Sequence, residues 1–115
     1  MISSTLLNEI LTFRQERDWE KFHTARNLSS ALCVEASELL DLFRWANDSE
    51  ITTIVEQQKS EIESEVADVT ILLMYLCHDL KISVDDVVRK KLEINRENYP
   101  VEKSKGTSKK YSKLG

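Results

Sequence analysis

Glycine and proline are nearly missing from this 115-residue chain, which has two of the first and one of the second; average usage would supply about fourteen together. A multi-stranded sheet needs turn residues at many points, so the shortage argues against a β fold. The two cysteines, Cys33 and Cys77, are too few for a disulfide scaffold and sit in apolar helical context. They read as reduced thiols of a cytoplasmic protein. No apolar run approaches the roughly 18 residues of a membrane span. The opening Met-Ile-Ser-Ser-Thr lacks the basic region and apolar stretch of a secretory leader, so none is expected. There is no Gly-rich phosphate loop and no internal repeat.

What is present is 41% apolar and 31% charged, the balance of one globular domain rather than a disordered chain. The net charge of −4 is unevenly placed. Up to Glu102 there are 20 acidic and 11 basic residues; from Lys103 onward there are five lysines and no acid. An acidic body disfavours a nucleic-acid polymer as partner, because phosphate contacts need a basic surface. Residues 1–102 are therefore read as the helical domain and 103–115 as a basic tail. That tail is either a phosphate-seeking arm or a solvated terminus.

Apolar residues recur at helical spacing in four stretches. Leu6, Ile10 and Phe13, widened by Leu7 and Leu11, predict a first helix from about Thr5 to Arg17. Asp18–Arg26 mixes aromatic and charged side chains without a period and reads as a connector. Asn27 is a candidate N-cap for a second helix over Leu28–Trp45, ended by Asn47-Asp48-Ser49-Glu50. A third helical region spans Ile51–Leu80; it is polar all round near Gln57–Ser60, where a second break is expected. Ser83-Val84-Asp85-Asp86 reads as a capping box opening a fourth helix that stops near Asn98, ahead of Pro100. The expectation is an all-α four-helix bundle. The apolar surface around Val66–Leu76 is larger than one small bundle covers, so an oligomer is expected.

Four carboxylates look out of place in this pattern. The second helix carries Glu35-Ala36-Ser37-Glu38 and the third Glu65-Val66-Ala67-Asp68. Each pair is three residues apart, so its members share a helical face, where like charges repel by a few tenths of a kcal/mol. Both pairs sit among core-type residues, and no lysine or arginine occurs between Glu61 and Leu80. Beside an apolar core such charges need a partner. If the two helices face each other, four carboxylates converge. Oxygen donors without His or Cys select Mg²⁺, with Mn²⁺ as a substitute. Two solvated faces carrying acids by chance are the alternative reading. A di-iron bundle needs two E-x-x-H motifs; the sole match is Glu20-x-x-His23, in the connector.

E-x-x-E followed after 26 residues by E-x-x-D resembles the signature of the all-α nucleoside triphosphate pyrophosphohydrolases of the MazG type. Arg17-Asp18-Trp19-Glu20-Lys21-Phe22-His23, Arg26-Asn27-Leu28 and Phe43-Arg44-Trp45 are similar to the dCTP pyrophosphatase-like branch. So are Lys91 with Asn95-Arg96-Glu97-Asn98-Tyr99-Pro100, and Gly106-Thr107-Ser108-Lys109-Lys110-Tyr111. The likeness covers nearly the whole chain. It implies hydrolysis of a (d)NTP between the α and β phosphates to a (d)NMP and pyrophosphate. The implied role is house-cleaning of non-standard or excess deoxynucleotides. Glu35, Glu38, Glu65 and Asp68 would bind the magnesium that holds the phosphates and activates a water, and one glutamate would double as general base.

The resemblance also implies a base site at Trp19, Trp45, Lys91 and Asn95, phosphate contacts from Arg96 and Tyr99, and closure over the site by Lys109 and Lys110. From the residues themselves, Trp45 reads equally as a helix-end core residue, Trp19 as a staple on the connector, and Lys91 and Arg96 as solvated charges. One position departs from the branch: its first-helix histidine near the base falls on Ile10 here. The likeness therefore carries no preferred base, and His23 reads as a structural or surface residue. A homodimer or homotetramer is expected, with no membrane or nucleic-acid polymer as partner. The rival readings are a nucleotide sensor without turnover and a helical interaction module.

Overall fold

The computed structural model describes all 115 residues. The fold is all-α, with no strand. It divides into two compact units, one of Ile2–Lys81 and one of Ile82–Gly115 together with Met1.

In the Ile2–Lys81 unit, α1 (Ser4–Glu16) opens on Ser3, whose Oγ accepts the Leu6 N–H at 3.1 Å and satisfies one of the free amides of the first turn. It ends where Asp18 takes a left-handed conformation (φ 54°), which the short Asp side chain tolerates better than most. The expected apolar stripe is displaced: Leu6 and Phe13 are exposed, while the buried residue of α1 is Arg14. Arg14 follows Leu7, Ile10 and Leu11 at helical spacing, so a charge continues the inward face.

The connector folds as a 3-10 turn over Glu20–Phe22. The cap of the second helix is Thr24 rather than Asn27, and α2 runs Ala25–Asp41. Thr24 Oγ1 accepts the Asn27 N–H at 3.1 Å, and the Asn27 side chain reaches back to donate to the Phe22 carbonyl at 2.9 Å. Asn27 thus ties the turn to the first turn of α2. The helix stops short of Trp45, with the chain turning where Arg44 N–H meets the Leu40 carbonyl.

The third helical region is broken as expected. A short α3 (Ile51–Gln57) is separated from α4 (Lys59–Asp79) at Gln58, whose ψ of 30° departs from helical geometry. α4 is the hub of the unit: α2 packs along it, and α1 and α3 rest against it. Leu28 of α2 and Met74, Tyr75 and Cys77 of α4 are the buried apolar side chains. The Tyr75 hydroxyl donates to the Ile10 carbonyl at 2.7 Å, tying α4 to α1. Cys33 and Cys77 are free thiols.

In the other unit, α5 (Val84–Asn98) starts on Ser83, which accepts the Asp86 N–H at 3.4 Å. The reciprocal contact of a capping box is not made; the neighbouring Asp85 instead meets the N-terminal amine at 2.9 Å. After Pro100 a single turn, α6 (Val101–Ser104), and a 3-10 turn at Tyr111–Lys113 complete the chain. The short α3 and α6 bring the helices to six, where the apolar spacing predicts four. No helix is long and apolar enough to cross a membrane.

Candidate metal centre

On α2, Leu28, Leu32, Glu35 and Leu39 follow one another at three- and four-residue steps, and all are at least half-buried. On α4 the same holds for Ile62, Glu65, Val69 and Leu72, with the half-buried Asp68 beside Val69. Carboxylates therefore occupy positions of the packed seam that the helical period would give to leucine. Where α2 lies along α4, oxygens of Glu35, Glu38 and Glu65 come within 4.8 Å of one another. Glu35 and Glu65 are partly buried and Glu38 is exposed. Ser37, between the two glutamates of α2, turns its hydroxyl back to the Cys33 carbonyl at 2.9 Å.

Two facts show that this cluster lacks internal compensation. Oε2 of Glu35 and Oε2 of Glu65 are buried without a hydrogen-bond partner. The titration of Glu35 and Glu38 is also displaced. The Glu65 carboxylate, close enough to share a proton, holds Glu35 above the usual carboxylate range; burial and the charges of Glu65 and Asp68 push the same way. Glu38 is raised by its contact with Glu35 and then by the charge of Glu35. No cation of the protein is bonded to these oxygens. A hard divalent ion fits this donor set: oxygens only, converging, two of them orphaned.

Three of the four expected carboxylates meet; Asp68 is outside that group, one turn from Glu65, and with Glu35 lines a cavity of about 560 Å³. That volume is in the range of small-molecule sites. Leu6, Ile10, Phe13, Ile71 and Leu72 form its apolar wall, and Trp19, His23, Tyr75 and Glu9 complete it. Trp19 meets Phe13 edge-on, with ring centroids 5.6 Å apart, and is partly exposed at the wall. The connector thus lines the cavity through Trp19 and His23.

Trp45, the other expected contact of the Ile2–Lys81 unit, is not part of the cavity wall. Trp45 is 83% exposed, with the Arg44 guanidinium 4.6 Å over its ring. It is not a core residue. Lys91, Asn95, Arg96, Tyr99, Lys109 and Lys110 belong to the Ile82–Gly115 unit. There Arg96 pairs with Glu93, Tyr99 meets Tyr111 edge-on at 6.0 Å, and Lys91, Asn95, Lys109 and Lys110 are exposed.

Two residues of the cavity region escaped the sequence reading. His23 is not a surface residue: it is half-buried in the wall, its ring 5.2 Å from that of Tyr75. Arg14 is 3% exposed and bonded to Asp79 through both terminal nitrogens, with Tyr75 beneath it at 4.6 Å. A lone arginine on an apolar stripe was the available signal for the second. In the sequence His23 is marked by its place in the branch's motif and by the Glu20-x-x-His23 spacing.

Residues 31–114 match the MazG-like family. The chain is similar to dCTP pyrophosphatase 1 of Rattus norvegicus, with 39% identity over 104 residues that span 89% of this chain and 61% of the relative. The human protein of the same name is 36% identical over the same length and shares. The chain thus covers about three-fifths of these curated relatives. A crystal structure of a pyrophosphatase from Archaeoglobus fulgidus superposes with a TM-score of 0.81 at 38% identity, covering 84% of this chain and 90% of that one. The carboxylate seam and these likenesses agree: the chain belongs to the MazG-like family, on the branch that contains the dCTP pyrophosphatases.

Proposed function

We propose that the protein is a divalent-metal-dependent nucleoside triphosphate pyrophosphohydrolase that cleaves (d)NTPs between the α and β phosphates. Its role on this reading is house-cleaning of non-standard or excess deoxynucleotides. One observation carries the proposal. Glu35 belongs both to the unpaired acidic cluster and, with Asp68, to the wall of the aromatic-lined cavity. With a divalent cation on that cluster, a ligand suited to both halves has a polyanionic end and a flat, weakly polar ring, which describes a nucleotide. The relatives' names and the pyrophosphatase neighbour support the same reaction.

Glu35, Glu38, Glu65 and Asp68 are the residues to hold Mg²⁺, with Mn²⁺ as a substitute. When bound, the ion neutralises phosphate charge and supplies a water of lowered pKa. Trp19 offers the base an aromatic face, a contact worth about 1–3 kcal/mol and tolerant of base identity. Trp45, Lys91, Asn95, Arg96, Tyr99, Lys109 and Lys110 are carried as substrate contacts by their likeness to the branch's motifs.

Pyrophosphate release from a panel of common and modified dNTPs is the direct test. Release that requires Mg²⁺ and stops with EDTA is expected. Mg²⁺ plus nucleotide at a hundred times Kd should also stabilise the fold by roughly 2.7 kcal/mol. Stabilisation without release would make the protein a nucleotide sensor; neither effect would make it an interaction module.

The assembly proposed is a homodimer or homotetramer. Val34 and Leu40 on α2 and Val66 on α4 are each about half exposed, on the two helices that form the centre of the unit. Apolar surface of this kind is usually covered by a partner. Light scattering should give a multiple of the chain mass for the natural protein and a lower multiple for Val66→Asp. A natural protein that scatters as a single chain would remove the assembly from the proposal.

A further inference from the structure

We propose that His23 is a specificity-determining residue of the cavity, presenting a fixed N–H donor to a hydrogen-bond acceptor on the edge of the nucleobase. The inference rests on the nucleotide reading above and adds to it the polar group that reads the base. Arginine has N–H groups only, so the 3.3 Å contact between the Arg14 terminal nitrogen and His23 Nδ1 has one polarity: Arg14 donates and Nδ1 accepts. A neutral imidazole whose Nδ1 accepts must carry its proton on Nε2. Arg14 is itself held on two sides: both its terminal nitrogens are bonded to Asp79 and its guanidinium lies over Tyr75. The chain Asp79–Arg14–His23 therefore sets one tautomer, and Nε2–H is the nitrogen left for a ligand.

The surroundings agree with this role. His23 faces Arg14, Asp79, Glu20 and Tyr75; burial, and after it the charge of Arg14, holds its pKa below the usual histidine value, so the neutral form prevails at neutral pH. Ile10, Phe13, Ile71 and Leu72 bring no side-chain hydrogen-bonding group to the cavity, and the Tyr75 hydroxyl is already given to the Ile10 carbonyl. Glu9, Glu35 and Asp68 are carboxylates, which accept when ionised. That leaves two groups in the wall with an N–H to offer, His23 and the Trp19 indole. The indole donates only at its own edge, whereas His23 is aimed by a second residue.

The experiment compares the natural protein with His23→Gln and His23→Leu. Glutamine supplies both functions, an oxygen for Arg14 and an N–H for the ligand; leucine supplies neither. The substrates are dCTP and the base-free 2-deoxyribose 5′-triphosphate. Metal-free binding of dCMP by calorimetry, with all proteins in EDTA, gives a readout independent of turnover. His23→Leu should raise KM for dCTP and Kd for dCMP about tenfold, with kcat changed less than threefold and the base-free substrate unaffected. His23→Gln should stay within threefold of the natural protein. An unchanged KM and Kd in His23→Leu, or an equal loss on the base-free substrate, overturns the proposal. If the natural protein releases no pyrophosphate from any dNTP, the enzymatic reading fails, and dCMP binding by the three proteins still decides the role of His23. In the free natural protein, ¹⁵N shifts of His23 should show the Nε2-protonated tautomer; the Nδ1-protonated form would overturn the assignment.

Discussion

Glu35→Gln should abolish pyrophosphate release while leaving a metal-free protein that melts at a higher temperature than the natural one. The two effects have one origin. Glu35 sits in a seam position, crowded by Glu65, Glu38 and Asp68, with one buried oxygen unpartnered. Removing its charge relieves repulsion in the absence of metal and removes a ligand in its presence. Several kcal/mol of transition-state stabilisation depend on a correctly held ion, so turnover should fall roughly a hundredfold or more. Thermal melts with and without Mg²⁺ complete the test: the upward shift on adding Mg²⁺ should shrink sharply in the variant. A variant less stable than the natural protein without metal, or one retaining turnover, would contradict the assignment of Glu35.

The same crowding gives the pH dependence a definite sign. Glu35 and Glu38 are raised above their ordinary values in the folded state. The folded protein then binds protons more readily than the unfolded chain. Repulsion is absent at pH below the ordinary Glu value of about 4.3 and grows as pH rises through the raised folded values. Stability measured in EDTA should decline across that window in the natural protein and decline less in Glu35→Gln. Saturating Mg²⁺ should flatten the natural profile, because a bound cation favours the ionised carboxylates. A profile in EDTA that already matches the one in Mg²⁺ would show that these carboxylates do not crowd one another.

The helical architecture was legible because its cause is local. Period, caps and the scarcity of glycine and proline act within a few residues, and the four long helices lie close to where the apolar spacing puts them. The acidic cluster of Glu35, Glu38 and Glu65 was legible for a related reason. A carboxylate inside an apolar stripe is anomalous before any contact is known, and two such pairs on neighbouring helices define a meeting point. What stayed hidden depended on side chains turning away from the average. Asn27 looks like a cap but serves as a tie to Phe22, since Thr24 competes for the same helix end. Leu6 and Phe13 looked like core but stay partly exposed along the open cavity wall, while Arg14 takes the buried position of that helix. His23 gained its place only through Arg14, Asp79 and Tyr75, which come from two other segments.

Asp79→Ala should produce the largest loss of stability of any single substitution in the Ile2–Lys81 unit. Arg14 is 3% exposed and makes its charged contacts with Asp79. Deleting one partner of a buried ion pair strands the other, at a cost of about 3–5 kcal/mol. Asp79 keeps 30% of its side-chain surface in water, which places the expected loss at the lower end, about 3 kcal/mol. For a chain of this length that corresponds to a fall in Tm of roughly 10–15 °C. Arg14→Met with Asp79→Leu should recover most of the loss, since an apolar pair of similar volume removes both charges from the interior. The pair also shapes acid unfolding. Its hydrogen bond to Arg14 holds the Asp79 carboxyl below the usual range, despite some opposing burial. The stabilisation is complete above the unfolded value of about 3.9 and is lost as pH falls through the lowered folded value. The natural protein should therefore lose stability more steeply below pH 4 than Asp79→Ala does. This acid limb runs opposite to the Glu35–Glu38 trend, so the metal-free protein should be most stable between the two windows, and Asp79→Ala should lose the decline on the acid side alone. Denaturant melts of the three proteins across pH 2–7 would measure this; parallel acid limbs in the natural protein and Asp79→Ala would show that the Arg14–Asp79 bond does not hold the fold.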